Sequence, residues 1–99
     1  MVFLYITCKD VEEAKHIGKE LVGRRVAGCV NIAPIHSIYR EDGKAREATE
    51  ASLLVKTIDS KVQAVEDVVR ELHSYKVPCI TAFEWARSSR EFSEWVEKT

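Results

Sequence analysis

The sequence has few of the residues that break, staple or charge a chain. Two prolines and four glycines are spread over 99 residues, so no Pro- or Gly-rich linker divides it. That length supports one hydrophobic core, and a single domain over residues 1–99 is predicted. An excess of charge of one sign is lacking too: 15 Lys+Arg stand against 16 Asp+Glu. Without a positive surplus to displace phosphate counterions, no nucleic-acid partner is expected. No apolar run approaches the roughly eighteen residues of a membrane span, so no membrane partner is expected either. Met1–Ile6 is apolar but lacks a basic lead and a small-residue cleavage pattern, which argues against a secretory signal. Three cysteines, an odd number without paired spacing, suit a reducing cytoplasm better than a disulfide scaffold. Gly-x-Ser-x-Gly, His-Glu-x-x-His, Cys-x-x-Cys and glycine-rich phosphate loops do not occur. A non-enzymatic protein without an organic cofactor is the expectation.

What is present reads as alternating strands and helices. Met1–Thr7 is an apolar strand. Asp10 and Glu13 have capping-box spacing, and Val11, Ala14, Ile17, Leu21 and Val22 recur at helical intervals, which predicts a helix ending near Gly23. Val26–Ile32 is β-branched and is predicted to stop at Ala33-Pro34. Ile35–Tyr39 and Arg46–Thr57 flank Glu41-Asp42-Gly43-Lys44, a hairpin whose Asp-Gly supplies positive φ. Ser60 and Gln63 predict a cap for a second helix carrying Val62, Val65, Val69 and Leu72. Val77–Trp85 is the next strand, with Pro78 at its start. Ser88 and Glu91 repeat the cap spacing before a terminal helix. The order β-α-β-β-α-β plus a C-terminal helix defines an α+β, ferredoxin-like sandwich with an antiparallel sheet.

Helices on one side of such a sheet leave the other side open. Yet Phe3 and Tyr5 alternate with Val2, Leu4 and Ile6, and Phe83 and Trp85 alternate with Ile80 and Ala82. Apolar residues on both faces predict an oligomer.

Reactive side chains concentrate in His73-Ser74-Tyr75-Lys76-Val77-Pro78-Cys79. An imidazole ending a helix and a thiol entering a strand form a soft ligand pair suited to copper or zinc. The competing reading is structural, with His73 favoured by the helix dipole and Cys79 a small hydrophobe. Cys29 lies inside the second strand and is expected to be inert. Cys8 sits near a helix N-terminus, a place that can depress a thiol pKa. His16 and His36 are expected to be solvated.

Several segments, in order along the chain, resemble the CutA divalent-cation tolerance family. They are Ala27-Gly28-Cys29-Val30-Asn31-Ile32, Ser37-Ile38-Tyr39 with Gly43-Lys44, Leu54-Val55-Lys56-Thr57, Glu71–Pro78 and Phe92-Ser93-Glu94-Trp95-Val96. The resemblance implies a cytoplasmic homotrimer linked to tolerance of copper and other divalent metals, with weak metal binding. From their own chemistry His73 and Cys79 are the expected ligands, with Lys56, Tyr75 and Cys29 the expected ligand pocket and Trp85, Tyr39 and Trp95 the expected interface. Ser74 replaces the family's proline, Lys76 its acidic residue and Cys79 its glutamate. Arg40-Glu41-Asp42 replaces an aromatic pair, and Ile6 stands where some members carry cysteine. Trading a carboxylate for a thiol favours a softer ion. The subunit also resembles nitrogen-regulatory signalling proteins. A small-ligand sensor with an anion on Lys56 is therefore one alternative, and a trimeric interaction scaffold another.

Overall fold

Alternation decides the first strand. In β1 (Val2–Cys8) the even residues Val2, Leu4, Ile6 and Cys8 are buried, while Phe3 and Thr7 are partly covered and Tyr5 is open. The computed structural model describes all 99 residues. After β1 come α1 (Val11–Gly23), β2 (Cys29–Glu41), β3 (Lys44–Thr57), a 3-10 turn at Asp59–Lys61, α2 (Val62–Leu72), β4 (Ile80–Glu84) and α3 (Arg90–Lys98). The sheet runs β2-β3-β1-β4 with every pair antiparallel. This is the ferredoxin-like β-α-β-β-α-β sandwich with an added C-terminal helix.

The core lies between α1, α2 and one sheet face. Leu4, Ile6, Leu53 and Val55 meet Ile17 and Leu21 from α1 and Val65 and Val69 from α2. Each large side chain taken fully from water there contributes about 1.5–3 kcal/mol. The hairpin forms as its Asp-Gly dictates: Asp42 and Gly43 have φ of 52° and 75°, and Glu41 pairs directly with Lys44. On the opposite face α3 covers one end. Phe92 stacks on Trp85 at 5.7 Å, and Trp85 meets Phe3 edge-on at 4.2 Å.

Four local expectations need correction. β2 begins at Cys29, not Val26, because the Val26 and Ala27 amides bond back to the Leu21 carbonyl and finish the α1 turn. β2 then runs straight through Pro34, which pairs with Ala51; it is the outermost strand, where a missing N–H is tolerated. The fourth strand is shorter than Val77–Trp85, and Val77 is 85% exposed. Of the three capping pairs only Asp10 caps, its carboxylate accepting from the Glu13 amide at 2.8 Å. Ser60 is absorbed in the 3-10 turn, and α3 starts one residue later than Ser88 implied, after Ser89, whose side chain makes no cap bond.

Candidate metal centre

Cys8, Glu13 and His73 converge where the end of β1, the first turn of α1 and the end of α2 meet. Strand parity puts Cys8 on the helix-covered face with Val2, Leu4 and Ile6. The capping geometry at Asp10 turns Glu13 back over the chain entering α1, where its Oε1 accepts from the Lys9 amide at 3.0 Å. His73 leaves the helix at φ −74°, ψ 139°, so its ring folds inward while the chain departs. Sγ of Cys8, a carboxylate oxygen of Glu13 and a ring nitrogen of His73 all lie within 4.8 Å of one another. The side chains of His73 and Glu13 are 0% and 7% exposed, and Cys8 is fully buried.

Two of the three donors already have hydrogen-bond partners. His73 Nε2–H donates to the Thr7 carbonyl at 2.8 Å, and Nδ1 accepts from the Tyr75 amide at 3.0 Å. Those partners fix the tautomer. Glu13 Oε2 accepts from the Ser74 amide at 2.9 Å, and His73 Nε2 stands 3.9 Å from Oε1. Burial pushes the Glu13 carboxyl up, but hydrogen bonds from Ser74 and Lys9, with the nearby His73 ring, hold it below the usual carboxylate value. Cys8 goes the other way. Burial first, then the charges of Glu13, Asp10 and Glu50, push its thiol up to about 12. The helix N-terminus does not depress it, because burial and the charges of three carboxylates outweigh the helix end.

Thiol, carboxylate and imidazole form a donor set that zinc and copper accept. Three donors leave a coordination position for water. An ion bound here would have to displace the Cys8 proton and free Nε2 from the Thr7 carbonyl, and both costs subtract from its affinity. The residues fit a metal ion held weakly.

Cys79 lies elsewhere. It is exposed, its one polar contact is the Thr81 hydroxyl at 3.8 Å, and it lines a 550 Å³ cavity with Thr7, Tyr39, Glu41, Glu50, Tyr75 and Val77. Tyr75 joins this cavity to the cluster: its amide holds His73 Nδ1 and its hydroxyl donates to Glu50 at 2.5 Å. Desolvation, that hydrogen bond and the charge of Glu50 raise the phenol pKa well above normal.

The other residues singled out from the sequence are dispersed. Lys56 sits over the rings of Phe3 and Phe92, 5.9 and 5.4 Å from their centres, and neither it nor Cys29 lines the Tyr75 cavity. Cys29 is half-buried at the start of β2, where Gly28 bonds the Lys56 carbonyl. Tyr39 and Trp95 are exposed, and Trp85 is largely covered. His16 and His36 are both exposed, His36 pairing with Glu47 at 2.7 Å. Glu13 was legible in the sequence only as a cap partner, although parity on β1 and the cap spacing together place it beside Cys8.

Fold and cluster together define a small α+β protein in which a thiol, a carboxylate and an imidazole converge. The chain belongs to the CutA1 divalent ion tolerance protein family, whose model matches residues 2–99. It is 43% identical to the divalent-cation tolerance protein CutA of Archaeoglobus fulgidus over 97 residues, covering 98% of this chain and 95% of that one. The structure of that relative, described as periplasmic, superposes with a TM-score of 0.93 and covers 97% of this chain and 95% of that one. The divalent cation tolerance protein of Thermus thermophilus is 40% identical in its solved structure, with a TM-score of 0.93 and coverage of 99% and 97%. The CutA homolog of Xenopus laevis is 40% identical over 93% of this chain, which spans only 62% of that longer protein.

Proposed function

We propose that this chain is a non-enzymatic metal-tolerance protein that acts as a cytoplasmic homotrimer and binds copper weakly. The observation that carries the reading is the convergence of Cys8, Glu13 and His73 within 4.8 Å. Its thiol and imidazole suit copper better than a hard ion, and Cys79 adds a second, accessible thiol beside the cavity behind Tyr75. The relatives named for divalent-cation tolerance support the physiological role. Three unpaired cysteines suit a reducing compartment.

Assembly is supported by the open sheet face. Tyr5 and Phe83 remain exposed there, Phe83 at 46%.

Copper titration followed by calorimetry tests the metal reading. Wild type takes up the ion with modest affinity, and Cys8→Ser and His73→Gln lose most of the heat while retaining the circular dichroism of the fold. Cys79→Ser reports whether the second thiol shares the ion. Equal binding by wild type and the two cluster variants overturns the reading. Sedimentation at about three times the monomer mass is expected at micromolar concentration. A stable monomer there removes the trimer.

A further inference from the structure

A second ligand surface lies on the other side of α1 from the cluster. β2 is the outermost strand, so on the covered face its inward residues Val30 and Ile32 have α1 on one side and no strand on the other. Gly18 lets the helix come down onto the strand: a Cβ there would stand 2.9 Å from Val30 Cγ2. Outside this contact runs a 440 Å³ groove floored by Gly18, Val30 and Ile32 and walled by Val22, with Lys15 and Lys19 as its charged members. No carboxylate lines it. Val22 is 42% exposed, an apolar helix position left uncovered.

The two ammonium groups are available. Lys19 has no carboxylate within ion-pair distance, and Lys15 has only the exposed Glu12 at 3.8 Å. A concave apolar surface with a few charged groups at its rim selects a ligand with an apolar body and a complementary head. We propose that this groove binds a free, single-chain aliphatic carboxylate, its tail along Val22, Val30 and Ile32 and its head between Lys15 and Lys19. Charge complementarity selects the anion. The apolar lining is confined to Gly18, Val22, Val30 and Ile32, a small contact area that suits a single tail better than a broad protein surface.

Titrating the full-length protein with decanoate, followed by 1H–15N NMR, tests this directly. Saturable shifts at Gly18, Val22 and Val30 are expected, with no response to decylamine, which has the same tail and a cationic head. Val22→Glu, a change at an exposed position, abolishes the shifts. The double variant Lys15→Glu/Lys19→Glu weakens binding about tenfold. Absence of saturation below the concentration at which decanoate self-associates overturns the proposal, as does equal binding of decylamine or unchanged affinity in Val22→Glu. Saturation by an acidic amphipathic peptide but not by decanoate also overturns it and makes the groove a protein-docking site. The decanoate and decylamine titrations of the unsubstituted protein decide the matter even where a variant fails to fold.

Discussion

His73 and Cys79 are six positions apart, yet Cys79 stands outside the cluster that holds His73. The His73 side chain is fully buried with both ring nitrogens bonded, whereas Cys79 is exposed beside a cavity with one long contact to a hydroxyl. Pro78, partly covered between them, and Cys79 both precede β4, which begins at Ile80. Closeness in sequence across a tight loop therefore does not make a shared site. The partners His73 does gain, Cys8 and Glu13, come from 65 and 60 residues away in the chain. One side chain is a structural keystone that can also serve as a ligand, and the other is free to react.

Stability measurements separate the two most sharply. His73→Ala removes a buried ring, opens a cavity and strands the Thr7 carbonyl and the Tyr75 amide, and should cost about 2–4 kcal/mol in denaturant unfolding. Cys79→Ser should stay within about 0.5 kcal/mol of wild type, as surface changes do. Comparable losses for both would mean that they share one network after all.

Glu13 should give a smaller effect with a signature in pH. Glutamine in its place can still accept from the Lys9 amide, but its NH2 then confronts the Ser74 amide, one donor facing another. Glu13→Gln is expected to lower stability near neutral pH by about 1–3 kcal/mol. The folded carboxyl titrates below its unfolded value. Its contribution is therefore full above the unfolded pKa of about 4.3 and disappears as pH falls through the lower, folded one. The gap between wild type and Glu13→Gln should narrow on acidification over that window. A gap that widens instead would show that burial, not the hydrogen bonds, sets the Glu13 titration.

Most of the architecture was legible because it depends on local rules. Period two in β1, the helical stripes in α1 and α2 and the Asp-Gly hairpin each follow from a few neighbouring residues. Pro34 misled because a proline normally ends a strand, and only the sheet order, a long-range fact, makes β2 an edge that tolerates it. The site was half legible. His73 stood out as a reactive side chain, but its partners depend on how β1 and α1 come together, which no short motif records. Cys8 was visible but read with the wrong sign. A helix N-terminus favours a thiolate only where nearby carboxylates do not outweigh it, and here Glu13, Asp10 and Glu50 raise the pKa together with burial.

The cysteines supply the finest form of the comparison. With its pKa pushed up to about 12, Cys8 is ionised at pH 8 to about one part in ten thousand, against roughly a quarter for an ordinary thiol. It is also shielded from reagents, so iodoacetamide should modify the exposed Cys79 first, the half-buried Cys29 more slowly and Cys8 only through unfolding. Mass spectrometry over a time course reads that order. Loss of Cys79 to the reagent should leave thermal stability nearly unchanged, because its side chain contacts little. The buried thiol adds a slope at the alkaline end: Cys8 stays protonated in the folded chain but ionises once unfolded. Its contribution is complete below about pH 8.5 and declines as pH rises toward the folded value. Cys8→Ala should remove that slope. Modification of Cys8 in the folded protein as fast as Cys79 would mean that the cluster opens readily to solvent and that His73 is not the closed end of the pair.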